Sequence, residues 1–264
     1  MRIVIKVGTS TLSHPSGRLD IRHMEELVKV MSDLKNAGHE IILVSSGAIG
    51  MGAGKLNFKE KPEDMPSKQA AAAVGQCELM YTYDRYFSVY NHTVGQLLIT
   101  SEDIDDSERR INFENTIERL LELGALPIIN ENDTVATSEI QVGDNDTLGA
   151  IVAVATNADM LVVLSDVDGL YTSDPRKDSE ARLLTVVEEI TPEIEALAGG
   201  TGSRFATGGM MTKIDAARRV TDKGCHMVIL NGRFPEKLYD IIEGNPWEKK
   251  DAHMSVTFFR GKGK

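Results

Sequence analysis

Arg2-Ile3-Val4-Ile5-Lys6-Val7-Gly8-Thr9-Ser10-Thr11 reads as a strand running into a glycine turn, because a β-branched apolar run interrupted once by lysine gives way to glycine and small hydroxyl residues. A lysine near the end of so apolar a strand needs a reason. Either it meets a partner in the interior, or it guards an edge strand against mispairing. The same pattern returns at Glu40 to Val44, which runs into Ser45-Ser46-Gly47-Ala48-Ile49-Gly50, at Val94 to Thr100, and at Leu126 to Ile129. It returns again at Met160 to Leu164, which delivers Ser165-Asp166-Val167-Asp168-Gly169-Leu170-Tyr171 and then Asp174-Pro175. Weaker strand signals lie at Leu183 to Val187, His226 to Leu230 and Ser255 to Phe259. Between them the apolar spacing becomes helical. Met24, Leu27, Val28, Met31 and Leu34 mark one face after Asp20 and stop at Gly38; Ser67 to about Tyr90 is a long helix; Glu108 to Leu123 stops at Gly124; another helix runs to Lys223. Strands alternating with helices through short glycine-rich loops predict an α/β fold with a mostly parallel sheet covered on both faces. Ligands of such sheets bind beyond the carboxyl ends of the strands.

The loops at those ends carry the polar chemistry. Val142-Gly143-Asp144-Asn145-Asp146-Thr147 precedes an unbroken apolar segment, Leu148 to Ala155. Asp144 or Asn145 can cap the helix that follows, and a carboxylate in its first turn suits the positive end of the dipole. Capping takes one such residue, which leaves others to bind. Upstream, Ile129-Asn130-Glu131-Asn132-Asp133-Thr134 is a second acidic, amide-rich loop. As a pair they suggest a pocket for something small, polar and partly cationic, whereas either alone is also ordinary turn chemistry. Gly47, Gly50, Gly52 and Gly54 let backbone N–H groups approach an anion. That segment is not a dinucleotide fingerprint, since the third glycine of G-x-G-x-x-G would fall at Lys55, and no G-x-x-x-x-G-K-[ST] phosphate loop occurs. Gly199-Gly200-Thr201-Gly202-Ser203 reads as a loop. Thr207-Gly208-Gly209-Met210-Met211-Thr212-Lys213 sets amides, a hydroxyl and a lysine at a helix N-terminus, a favourable place for phosphate. The dipole disfavours a lysine there unless an anion joins it; a side chain pointing to water is the alternative.

Length and composition set outer limits. The chain has 264 residues, enough for one large α/β domain, with 41% hydrophobic residues. A formal charge of −11 argues against a broad nucleic-acid or anionic-membrane surface, so an anionic substrate needs local positive groups. No signal peptide or membrane span is visible, which predicts a cytoplasmic protein. Cys77 and Cys225 are far apart and form no metal-ligand spacing.

Taken in order, the motifs resemble those of the amino acid kinase family. They are Lys6-Val7-Gly8-Thr9-Ser10, Ser45-Ser46-Gly47-Ala48, Ile129-Asn130-Glu131-Asn132-Asp133, Val142-Gly143-Asp144-Asn145-Asp146, Asp166-Val167-Asp168-Gly169-Leu170-Tyr171 with Asp174-Pro175, and Thr207-Gly208-Gly209-Met210 with Lys213. The resemblance implies a three-layer α/β/α sandwich around a mostly parallel eight-stranded sheet, forming one domain over residues 1–259 before a basic tail, 260–264. The part up to about residue 160 would bind the acceptor and the remainder ATP. The two acidic loops resemble those of members that phosphorylate the side-chain carboxylate of L-glutamate, giving L-glutamyl 5-phosphate and ADP in the first step of proline biosynthesis. ATP and Mg²⁺ are implied, with no protein ligand of the metal assigned. Carried over by position, Lys6, Lys213 and Asp146 are catalytic, and Ser46, Asp133 and Asn145 contact glutamate. Lys6, Gly8, Ser165, Asp166, Thr207, Gly208, Gly209, Met210, Met211, Thr212 and Lys213 contact ATP; Ser165 stands where threonine is frequent and keeps the hydroxyl. Inhibition by proline and a homo-oligomeric state are typical of relatives. Many carry a C-terminal PUA domain, which this chain is too short to include, so no nucleic-acid role is carried over.

The chemistry agrees with the residues. A carboxylate acceptor of pKa about 4.3 is already ionised at pH 7 and needs no general base. Repulsion between that anion and the triphosphate is the obstacle, which two lysines would relieve and Asp146 between them would organise. Asp133 suits an α-ammonium group, while Asn145 serves ammonium or carboxylate according to its amide orientation. The alternatives are a family member acting on N-acetylglutamate, aspartate or UMP, and a non-catalytic binding regulator on the same fold.

Overall fold

A computed structural model describes residues 1–14, 18–60, 62–135, 145–199, 209–244 and 254–263. In chain order its elements are β1 (Arg2–Val7), α1 (Thr9–Leu12), α2 (Ile21–Asn36), β2 (Glu40–Ser45), α3 (Ala48–Lys55), α4 (Met65–Ser88), β3 (Val94–Ile99), α5 (Ser101–Asp105) and α6 (Ser107–Glu122). Then follow β4 (Leu126–Glu131), α7 (Asn145–Ala155), β5 (Met160–Ser165), β6 (Val186–Val187), α8 (Pro192–Ala198), α9 (Met210–Thr221), β7 (His226–Asn231), α10 (Lys237–Glu243) and β8 (Val256–Phe259). The eight strands form one sheet in the order β3-β4-β2-β1-β5-β7-β8-β6. Pairing is parallel from β3 through β7, and β8 runs antiparallel to β7. The α/β architecture read from the sequence is therefore the observed one.

Alternation along each strand separates two cores. Ile3, Ile5 and Val7 pack with residues of α2, α4 and α10, while Val4, Ile42 and Val44 pack with residues of α6, α7 and α9. The central strands are apolar on both faces because helices cover both. Caps fix the helix starts: Asp20 accepts from the His23 N–H at 3.1 Å, and Asp64 from the Ser67 N–H at 2.9 Å. The Asp64 cap, with Pro66 in the first turn, starts α4 at Met65 rather than Ser67. Among the described residues no helix is long and apolar enough to cross a membrane.

Three expectations need correction. The edge-strand reading of Lys6 fails, because β1 lies between β2 and β5. Asn130 and Glu131 belong to the buried end of β4, so the second acidic loop begins only at Asn132. The stretch Gly47 to Gly54 is no open anion loop, since Ala48–Lys55 is helical and packs on α4. Two glycines permit that packing. A Cβ at Gly52 would lie 1.8 Å from the Ala71 carbonyl oxygen, and one at Gly75 would lie 1.7 Å from that of Ala48. Gly47, at φ 109°, serves instead to turn the chain from β2 into α3. Gly75→Ala is therefore expected to destabilise the fold by roughly 3 kcal/mol, in the range of overpacked cores; a urea midpoint equal to that of the parent would show the helices can separate freely.

Candidate active site

Parallel pairing brings the carboxyl ends of β4, β2, β1, β5 and β7 to one edge of the sheet. Lys6 is on the same strand face as Val4 and so enters the layer of α7 and α9. There α7 passes directly over it: a Cβ at Gly149 would lie 3.4 Å from the Lys6 Cβ. Lys6 Nζ is 2.7 Å from Asp146 Oδ1, and Lys213 Nζ donates to Asp146 Oδ2 at 2.9 Å. The aspartate side chain is 0% exposed and each lysine side chain 7%. Thr212 Oγ1 donates to the Gly209 carbonyl at 2.8 Å and lies 3.3 Å from Asp146 Oδ2. Asp146 occupies the first turn of α7, where the helix dipole favours an anion. The opposite fit of Lys213 to the start of α9 is compensated by that same carboxylate, and its water-pointing alternative is set aside. Two buried cations share one anion. These three groups bring two positive charges and one negative charge into the interior of a chain of formal charge −11.

On the β2 and β4 side of this cluster lies a chain of amides and a hydroxyl. Asn145 Nδ2 donates to Ser46 Oγ at 2.6 Å and to Asn130 Oδ1 at 3.2 Å. Asn130 Oδ1 also accepts from the Glu131 N–H at 2.9 Å, and Asn130 Nδ2 donates to Gln76 Oε1 of α4 at 2.9 Å. Ser46 is tied to the end of β1 by its own N–H, which donates to the Val7 carbonyl at 3.0 Å. Asp133 follows in the loop after β4. Burial first, and the neighbouring Glu131 charge second, push its carboxyl up to about 6. A carboxylate held this way gains most from a cation that arrives with a ligand.

On the β5 and β7 side, Ser165 ends its strand opposite Asn231 and donates from Oγ to Asp166 Oδ1 at 3.2 Å. Asn231 Nδ2 donates to Asp168 Oδ1 at 2.9 Å, and the Tyr171 hydroxyl to Asp168 Oδ2 at 3.2 Å. Gly8 sits beyond β1, where a side chain would begin 3.7 Å from Lys6 Nζ and crowd the approach to it. Gly209 precedes α9 and Met210, Met211 and Thr212 form its first turn. Thr207, Gly208, Val142, Gly143, the proposed cap Asp144 and the stretch 200–203 lie outside the described residues.

The sequence model of the amino acid kinase family matches residues 1–231. The chain belongs to that family. Among curated relatives of this family member, the glutamate 5-kinase of Clostridium perfringens is 50% identical over 247 residues, 92% of each chain. That of Clostridium acetobutylicum is 52% identical over 241 residues, covering 91% of this chain and 90% of the relative. Among solved structures, a carbamate kinase from Giardia lamblia bound to AMP-PNP superposes with a TM-score of 0.65 at 16% identity, covering 98% of both chains. The UMP kinase of Ureaplasma parvum gives 0.64 at 18%, also over 98% of both. At such identities these structures establish the shared fold.

Gln76, Asn130 and Asn231 were not singled out as site residues in the sequence. Asn231 carries a readable signal, because an apolar strand ends there in an amide and a glycine, as β5 ends in Ser165-Asp166. Gln76 gives none beyond being a polar residue on the buried alanine-rich side of α4. Asp146→Asn is expected to lower stability by about 3–5 kcal/mol, since it strands two buried ammonium groups; chemical unfolding at neutral pH checks this, and a loss below 1 kcal/mol would mean the lysines readily escape to water.

Proposed function

We propose that the chain transfers the γ-phosphoryl group of ATP to the side-chain carboxylate of L-glutamate, giving L-glutamyl 5-phosphate and ADP, the first step of proline synthesis. The observation that carries this reading is the buried Lys6–Asp146–Lys213 cluster at the carboxyl edge of a parallel sheet. Half-identical relatives named glutamate 5-kinase, matched over nine-tenths of their length, support the choice of acceptor. The attacking carboxylate is already an anion, so no side chain need remove a proton. What the site supplies is charge. Lys6 and Lys213 face the transferring group from two directions and offset the repulsion between nucleophile and phosphate, while Asp146 holds both ammonium groups in place. Mg²⁺ bound to the ATP phosphates would supply further neutralisation of their charge.

The order of strands along the edge supports a division of labour. The groups at β4 and β2, namely Asp133, Asn145 and Ser46, would hold glutamate; the lysine cluster at β1 lies in the middle; Ser165, Asp166 and the start of α9 on the far side would hold the nucleotide. This corresponds to acceptor binding by residues up to about 160 and ATP binding by the rest. Thr207 and Gly208 join the nucleotide side by resemblance alone. Asp133 favours an acceptor with a free ammonium over an N-acetylated one, whose neutral amide would leave the carboxylate without a partner. Inhibition by proline, an assembly of several copies and a cytoplasmic location complete the proposal.

Lys6→Ala and Lys213→Ala are each expected to lower kcat by at least about a hundredfold with KM for L-glutamate changed severalfold at most. Hydroxamate formation from ATP, Mg²⁺ and L-glutamate measures this, with aspartate and N-acetylglutamate as control acceptors; near-parental turnover in either variant removes the mechanism. Because the Asp133 carboxyl titrates near 6, its anionic form is lost below that pH and with it the partner of the ammonium. KM for L-glutamate should therefore rise as pH falls from 7 to 5, approaching about tenfold per unit below pH 6. In Asp133→Asn the KM should be high and flat across that range, and a parental profile in this variant would displace Asp133 from the role.

A further inference from the structure

Gln76 lies on α4, is not among the residues proposed above to hold glutamate, and is 7% exposed. Its carbonyl is engaged while its amide nitrogen, Nε2, is buried without a hydrogen-bond partner among the described residues. A glutamine kept only for packing makes little physical sense here. An unpaired buried donor costs about 1–3 kcal/mol, and methionine would fill the same space without it. What glutamine supplies and methionine lacks is the acceptor oxygen facing Asn130.

We propose that Gln76 is a positioning residue that, together with the Glu131 N–H, holds the amide orientations of Asn130 and Asn145 and so helps fix which charge of the acceptor each end of the pocket recognises; this rests on the reading of L-glutamate as acceptor. The argument starts from a group with no choice. The Glu131 backbone N–H can only donate, so the Asn130 atom facing it at 2.9 Å is the oxygen Oδ1. Asn130 therefore turns Nδ2 toward α4, where Gln76 Oε1 receives it at 2.9 Å. With Asn130 Oδ1 fixed, the Asn145 atom 3.2 Å from it is Nδ2, whose other hydrogen goes to Ser46 Oγ at 2.6 Å. Both hydrogens of Asn145 are then used, and only its carbonyl is left for a ligand. That carbonyl suits an ammonium. Ser46, already accepting from Asn145, keeps its own hydrogen to donate, which suits a carboxylate. The ambiguity of Asn145 read from sequence is thereby resolved by the Glu131 N–H acting through Asn130, in an orientation that an acceptor on a neighbouring helix secures. Removing that acceptor leaves Asn130 Nδ2 buried and unpaired, so rotation of the Asn130 amide no longer breaks a bond on both sides.

The test compares L-glutamate with glutarate, the same dicarboxylate without the ammonium group, by ADP release. Gln76→Met is expected to raise KM for L-glutamate about tenfold, to lower the kcat/KM preference for L-glutamate over glutarate by about as much, and to leave kcat and the ATP KM within about twofold. In an Asn145→Ala background the same change should add little, because both act through one amide. Gln76→Glu keeps an acceptor oxygen toward Asn130 and is expected to retain the preference, which keeps the proposal open to refutation should the methionine variant fail to fold. An unchanged preference in Gln76→Met, full additivity with Asn145→Ala, or loss of the preference in Gln76→Glu overturns the proposal. A parent protein inert toward L-glutamate overturns the functional reading itself, before any variant is made.

Discussion

One carboxylate buried between two ammonium groups is the constraint on which the site depends. Taking Asp146, Lys6 and Lys213 out of water is unfavourable for each separately, and the penalty is offset only while all three stay together. Their positions in the chain are remote, on β1, α7 and α9, so the contact also locks those elements against one another. Lys6 lies opposite Val44 of β2 and Val163 of β5, inside the sheet, which leaves it no route to solvent except at the strand end. An ordinary packed core would place an aliphatic side chain there. The lysine turns a packing position into one that carries charge.

The parallel sheet sets that buried charge between two sides of one edge. Because six neighbouring parallel strands end at that edge, the residue types at their ends become neighbours in space: amides and a hydroxyl at β2 and β4, carboxylates and an amide at β5 and β7. The lysine cluster stands between these groups. The close packing of α3 on α4 through Gly52 and Gly75 holds the helix that carries Gln76, whose Oε1 receives Asn130 Nδ2.

Much of this was legible in the chain itself. Short apolar, β-branched runs gave each described strand within a few residues, and the helical spacing of apolar residues with glycine stops gave the longer helices, since those signals reflect local geometry. The faults have a common cause. Gly47 to Gly54 looked like a loop because glycine is a poor helix former, yet Gly52 lets two helix backbones touch, and that depends on a partner helix later in the chain. The extent of β4 into Asn130 and Glu131 was hidden for a similar reason: amide and acid side chains favour turns unless buried neighbours supply hydrogen bonds.

The sequence by itself determined the α/β alternation, the polar loops at the strand ends, and the presence of two out-of-place lysines and an acid able to pair with them. Only the tertiary structure decided that Lys6 is central rather than at an edge, that one aspartate serves both lysines, and which way the amides of Asn130 and Asn145 face. Local patterns follow from the backbone's own periodicity, whereas the sharing of a charge or a hydrogen bond depends on distances between residues that meet only when the sheet closes.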